Sequence, residues 1–387
     1  MAKTGIGSRW TPELTVSKDP ASGATVRQLT NYMGHSSHFY FTYPCWYDNG
    51  RKIVIYSDRE NRTNLFGVDL RSGDITQLTD LDPAKRIGGL SNNPAREEIY
   101  FTYGDTLTAL DLASLNTRPL YTRPKGYVGG SANATADGKY ICAGYYQDLS
   151  DRFMIDLGHG YVGFHEIWEA HPHSMIVKIP VDGGDAQVVF EDHSWLGHFN
   201  ASPKLPDIIT FCHEGPWTKV DNRIWGLNLR TGATWKIRPT SPGEAVGHEY
   251  WMPDGEHIGY HGRSATGPMY GSIRYDNADQ VEAPFDYHCW HFHSYRLDLV
   301  VGDGDAQNPY LLLWRFKDKE FQGPKALVWH RGSFHTQRVH LHPCFNAQGT
   351  QIVYTADPQG YGQVFVVDVP DFDALPDRSA VTKNKEV

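Results

Sequence analysis

The stretch Cys45-Trp-Tyr-Asp-Asn-Gly-Arg-Lys-Ile-Val-Ile-Tyr-Ser-Asp58, continued by Asn64-Leu-Phe-Gly-Val-Asp-Leu-Arg-Ser-Gly-Asp-Ile-Thr-Gln-Leu-Thr79, decides the fold. It reads as a strand, an Asn-Gly turn, a β-branched strand and a loop, then a strand ending Val-Asp-Leu, a Ser-Gly turn and a final strand. Short alternating runs joined by such turns are hairpin signals. The unit returns along the chain. Ile99-Tyr-Phe-Thr-Tyr103 is followed by Leu110-Asp-Leu112 and Thr117-Arg-Pro-Leu120; Ala136-Asp-Gly-Lys-Tyr-Ile141 precedes Ile176-Val-Lys-Ile-Pro-Val-Asp182. Asp207-Ile-Ile-Thr-Phe211 precedes Ile224-Trp-Gly-Leu-Asn-Leu-Arg-Thr-Gly232, and three further units begin at Pro253-Asp-Gly255, Asp298-Leu-Val-Val301 and Ala347-Gln-Gly349.

Seven four-stranded units of about 55 residues, with no helical spacers, predict an all-β chain: a seven-bladed β-propeller with four-stranded antiparallel blades. Length alone would suggest two or three domains, but this periodicity predicts one over residues 1–387, with blades from about 25 to 371. Thr25-Val-Arg-Gln-Leu-Thr30 resembles the last strand of a blade and is expected to close the C-terminal one. Extra length falls at about 147–175, where Phe164-His-Glu-Ile-Trp-Glu-Ala170 reads as a short helix over one mouth of the channel. The polar tail 372–387 is expected to be loose.

Composition narrows the function classes. The formal net charge of −9 disfavours nucleic acid or an anionic membrane as partner, since both need a basic footprint. It leaves room for a small anionic substrate, because a local cluster outweighs a weak global field at contact. Five widely spaced cysteines without a C-x-x-C favour reduced thiols and a cytoplasmic protein. No apolar h-region opens the sequence, and no run approaches the roughly 20 residues that span a bilayer.

Within this frame the chemistry-bearing stretch is Gln337-Arg-Val-His340-Leu-His342-Pro343. On an extended strand His340 and His342 would share a face, with Cα atoms about 6.5–7 Å apart. A third histidine from elsewhere and the amide oxygen of Gln337 would complete a nitrogen-rich site with open positions for a catalytic cation. Trp290-His291-Phe-His293-Ser294 is the candidate source. The innermost strands of other blades bring His38 and Tyr40, His198, and Gly247-His248-Glu249 toward the channel. A histidine at one blade position is also what a structural repeat would show, but the flanks differ and blades two and three lack it. Phe211-Cys-His213-Glu214-Gly-Pro216 and Asp221-Asn-Arg223 form a second polar cluster, in which Arg223 would ordinarily pair with Asp221 or Glu214.

Taken jointly, Trp195-Leu-Gly-His198, Phe211-Cys-His-Glu-Gly-Pro216 with Arg223-Ile-Trp225, His248-Glu-Tyr-Trp251 with Pro253-Asp-Gly255, His291-x-x-Ser294 with Val301-Gly-Asp-Gly304, and Gln337-x-x-His340-x-His342 resemble the oligogalacturonate lyases, over nearly the whole chain. That resemblance implies cytoplasmic seven-bladed propellers that cleave short pectin-derived galacturonides. It implies a divalent metal, usually manganese (Mn2+), on His291, His340, His342 and Gln337, a base at His248 and an active-site arginine at Arg223. His198, His213, Glu214, Tyr40 and His38 are expected to contact the substrate. The sixth-blade segment lacks the family's usual Asp-Gly turn and is one residue shorter, so His293 competes with His291 as ligand.

These residue types suit elimination. A lyase acting on a 4-linked uronate removes the proton at C5 and expels the oxygen at C4. The C5 proton is weakly acidic because deprotonation adds charge beside a carboxylate, and a cation on that carboxylate offsets the added charge. A histidine has its ordinary pKa near operating pH, so a neutral fraction is available as base. An arginine holds a carboxylate through two parallel hydrogen bonds. The same chemistry on rhamnogalacturonan or glucuronan fragments is one competing expectation, and a non-catalytic TolB-like interaction propeller is another. The propeller of a prolyl-oligopeptidase-type protease is set aside, since no G-x-S-x-G nucleophile elbow is present.

Overall fold

In the computed structural model, residues 5–285 and 287–381 are described. The expected loose tail therefore lies outside the described residues from 382 onward. The chain forms seven antiparallel sheets, five of four strands, one of five and one of six, as a seven-bladed propeller requires. The hairpins close as their sequences direct. Asp48, Asn49 and Gly50 take positive φ of 53°, 53° and 80°, a left-handed run that turns the chain between the paired residues Tyr47 and Lys52. Between third and fourth strands, the side chain of Asp69 accepts from the amides of Arg71 (2.9 Å) and Ser72 (3.0 Å). Asn228 does the same for Arg230 and Thr231, and Asp111 for Ala113 and Ser114. This Asx turn is why Asp/Asn-x-x-Ser/Thr recurs at that point of blades one, two and four.

The chain divides into two compact units, one running up to Leu81 and again from Ala283, the other from Asp82 to Glu282. The first unit holds blades one, six and seven. In blade seven, Cys344–Phe345, Gln351–Ala356 and Gln363–Asp368 are followed in the sheet by Thr25–Gln28 from the start of the chain, with Val26 opposite Val367. Two short strands extend this unit beyond four-stranded blades: Thr15–Lys18 on blade seven and Arg9–Trp10 on blade one. Leu311, Leu313, Leu341, Ile352, Tyr354 and Phe365 form its main core.

That core corrects the expectation of a loose tail directly after Asp371. Phe372 and Leu375 are buried in it, Asp371 caps their turn, and the backbone of Pro376 accepts from Ala326 (2.9 Å). Beyond these two apolar residues, Asp377 pairs with Lys325 (2.9 Å) and Arg378 donates to Asn308 (2.7 Å).

The second unit holds blades two to five, whose first strands are Ile87–Asn92, Tyr127–Ala134, Leu196–Ala201 and Ala245–Trp251. Each of these strands shifts register against its neighbour. The insertion at 147–175 contains the helix Phe164–Glu169, whose Ile167 is buried with Leu149 and Trp195. Among the described residues no helix is long and apolar enough to cross a membrane.

Candidate metal and active site

In the first unit the chain turns through the short 3-10 segment Gln337–Val339 before reaching His340. His340 and His342 are not on a strand, contrary to the expectation; strand pairing resumes only at Cys344. Leu341 between them is fully buried, and its carbonyl accepts from the Thr355 amide (3.1 Å). His342 takes the left-handed backbone, with φ 45°, and the two rings lie with centroids 5.8 Å apart. His291 completes the group, its ring 5.6 Å from that of His340 and 4.4 Å from that of His342. One nitrogen from each histidine lies within 4.8 Å of the others.

This donor set fits a divalent cation. Nδ1 of His340 and Nε2 of His342 are buried without a hydrogen-bond partner, an arrangement that costs free energy unless something occupies those lone pairs. Burial, reinforced by the His291 charge, lowers the His340 pKa to about 4, and burial drives that of His342 well down. Both imidazoles are therefore neutral at ordinary pH, the form that ligates metal. His291 is held by Asp303, whose Oδ1 accepts from its backbone amide (2.9 Å) and whose Oδ2 lies 2.8 Å from Nδ1. A carboxylate there makes Nδ1 the donor and leaves Nε2 as the ligating nitrogen. Gln337 opens the turn that leads into His340.

The competitor, His293, is occupied elsewhere: Nδ1 accepts from the Phe345 amide (3.3 Å) and Nε2 lies 3.9 Å from Cys344 Sγ. His38 also has both ring nitrogens engaged, with Thr355 Oγ1 at 2.7 Å and the His342 carbonyl at 2.8 Å. It supports the backbone of His342. Tyr40 stands edge-on to His342 at 4.7 Å.

The second unit carries a separate polar group. His198 and His248 occupy matching bulges, each after a glycine and each with φ near 50°. Arg223, almost fully buried, forks onto Glu214, with Nη1–Oε1 2.7 Å and Nη2–Oε2 3.3 Å. Glu214 also takes the Gly215 amide (3.1 Å) and lies 3.3 Å from His198 Nε2. Burial alone would raise the Glu214 carboxyl, but the Arg223 charge and His198 outweigh it and hold it well below the usual range. Glu214 thus orients Arg223. The ring of His213 stacks on Trp225 at 4.7 Å and its Nδ1 meets Asp221 at 2.8 Å, while its Nε2 is buried without a hydrogen-bond partner. Although His198, Cys212 and Glu214 come together like a metal cluster, Glu214 is already neutralised by Arg223 and burial keeps the Cys212 thiol protonated, so this group does not suit a cation.

The oligogalacturonate lyase family model matches residues 6–373. This chain belongs to the oligogalacturonate lyase family. Its relatives include an oligogalacturonide lyase of Pectobacterium atrosepticum, 26% identical with 92% of this chain and 95% of that protein covered. An oligogalacturonate lyase of Dickeya dadantii is 27% identical over the same shares. A solved oligogalacturonate lyase in complex with manganese superposes with a TM-score of 0.84 at 25% identity, covering 95% of this chain and 99% of that one. The fold of this lyase-family chain is accordingly a seven-bladed β-propeller.

Four neighbours of the two groups escaped the sequence reading: Asp303, Glu249, Trp217 and His261. Asp303 and Glu249 lie inside the family motifs Val301-Gly-Asp-Gly304 and His248-Glu-Tyr-Trp251, so a signal existed for them. Trp217 packs against Arg223 and His248 from a loop, and nothing in its local sequence marks it.

Proposed function

We propose that this protein cleaves short galacturonides derived from pectin by β-elimination, with His291, His340, His342 and Gln337 holding a divalent metal, manganese. The observation that carries the reading is the meeting of three buried imidazoles, two of them with an unsatisfied ring nitrogen. A cation bound there supplies positive charge against the substrate carboxylate, acidifying the neighbouring C5 proton.

The protein's own residues do the rest. His248, neutral, takes the proton from C5; the freed pair forms the double bond between C4 and C5, and the C4 oxygen departs with its bonding electrons and is protonated. Arg223, its guanidinium already oriented by Glu214, holds a uronate carboxylate, and Tyr40 and His198 are further substrate contacts of this reading. The reading includes a cytoplasmic setting, supported by five cysteines that are all buried free thiols.

The test is absorbance in the ultraviolet band of an unsaturated uronate, with digalacturonate as substrate. It should rise with manganese present, stop on chelation and return on manganese addition. Metal-replete protein that leaves digalacturonate intact overturns the reading.

A further inference from the structure

We propose that His261 is a positioning residue for the elimination: it accepts a hydrogen bond from Nδ1 of His248 and so leaves Nε2 of His248 as the proton-accepting atom. The inference rests on the lyase reading for the role of His248, and on geometry for the pairing itself.

His248 Nδ1 and His261 Nε2 are 3.0 Å apart. The two come from adjacent strands of blade five, Ala245–Trp251 and His257–Ser264, in which Gly247 faces His261 across the ladder. The bulge after Gly247 places His248 beside its partner rather than on the opposite face. Trp217 stands edge-on to both rings, 5.0 Å from His248 and 5.6 Å from His261, so the pair is clamped from one side.

A hydrogen bond between two imidazoles needs one N–H and one lone pair, which leaves two arrangements. If His261 donates, neutral His248 must carry its proton on Nε2 and has no lone pair to offer a substrate. If His248 donates from Nδ1, its Nε2 carries the lone pair that takes a proton. The imidazolium then formed keeps its Nδ1–H on a neutral acceptor, which stabilises the charge. Only the second arrangement serves a base. Other charged or titratable groups surround the pair. Arg223 lies on the Trp217 ring at 5.1 Å, and His198 has its ring 6.2 Å from that of His248. Glu214 and Cys212 come from the strand and loop beneath Arg223, and Glu249 is the next residue on the same strand.

The test compares His261→Leu, His261→Gln and His261→Glu in the metal-replete enzyme, with manganese content and the unfolding midpoint checked for each. Leu removes the acceptor: kcat should fall by about 10-fold or more, short of the roughly 100-fold cost of losing a general base. KM should stay near wild type, and the acid limb of the kcat profile should move to lower pH. Gln restores an acceptor oxygen and should recover most of kcat; Glu should move the acid limb to higher pH. Equal acid limbs for Gln and Glu, or a Gln variant as impaired as Leu, overturn the proposal even if the Leu variant fails to fold. An independent readout is the long-range nitrogen–proton spectrum of the histidine rings in wild-type protein. His248 found protonated on Nε2 overturns the proposal whatever the activity, whereas absence of lyase activity with His248 protonated on Nδ1 condemns only the functional reading.

Discussion

Asp303 grips His291 at two points, one carboxylate oxygen on its backbone amide and the other on Nδ1, and it does so from a fully buried position. The ring therefore has one tautomer and one orientation available. Replacing Asp303 with Asn keeps the shape but lets the amide present a donor to Nδ1, so the tautomer is no longer imposed. Manganese affinity, measured by calorimetric titration, should fall about 10–100-fold.

His340→Ala and His293→Ala should separate a ligand from a structural imidazole. The first should lose metal and activity together. The second should keep about one ion per chain and lose stability by roughly 1–3 kcal/mol, because the Phe345 amide loses its buried acceptor. Metal analysis beside denaturant unfolding distinguishes them. A His293 variant that sheds its metal would return that residue to the ligand set.

Gly247 is a test of how closely Arg223 is seated. A Cβ at this position would lie 2.6 Å from Arg223 Nε and 2.7 Å from its Cδ, closer than atoms can sit. Gly247→Ala should therefore displace the guanidinium from Glu214, costing about 1–3 kcal/mol of stability and raising KM for digalacturonate. Unchanged kinetics would show that Arg223 does not hold substrate.

Glu214 and Glu249 should give opposite pH signatures. Glu214 is held below its ordinary pKa, so its contribution is present above about pH 4.3 and is lost as pH falls through its folded value. Glu214→Gln leaves Arg223 buried without a counter-charge, and should cost about 3–5 kcal/mol at pH 7, the deficit shrinking in acid. Glu249 is pushed up by burial, against the opposing charges of His198 and Arg223, and its carboxylate oxygens have no hydrogen-bond partner. Its contribution is present below about pH 4.3 and is lost as pH rises through its folded value. Glu249→Gln should raise the unfolding midpoint at pH 7 and leave it unchanged near pH 4.

The blades were legible because each hairpin announces itself locally. Asp48-Asn-Gly50 and the Asx turns at Asp69, Asp111 and Asn228 need only their own few residues to form. The choice of His291 as partner of His340 and His342 was also within reach, since the joint spacing of the motifs singled it out. What escaped depends on backbone conformation or on distant partners. The left-handed turn at His342 is not a property of histidine, so the rings were assigned to a strand they do not occupy. The engagement of His38 with Thr355 and of His213 with Asp221 was not legible, because a polar side chain gives no sign of whether its partner is a ligand or another side chain. His261 carried no motif at all; it matters only because a bulge one strand away swings His248 beside it.

The sheet that joins Thr25–Gln28 to Gln363–Asp368 carries a consequence for synthesis. Arg27 and Asp368, ion-paired across it, stand 341 positions apart in the chain. Until the ribosome has delivered the later strand, the earlier one has no ladder to join and keeps an open edge in the nascent polypeptide. Closing so long a loop adds little free-energy cost, since each doubling of length adds only about 0.6 kcal/mol. The delay is therefore one of timing, and the N-terminal hairpin keeps an unpaired edge until Gln363–Asp368 has been made.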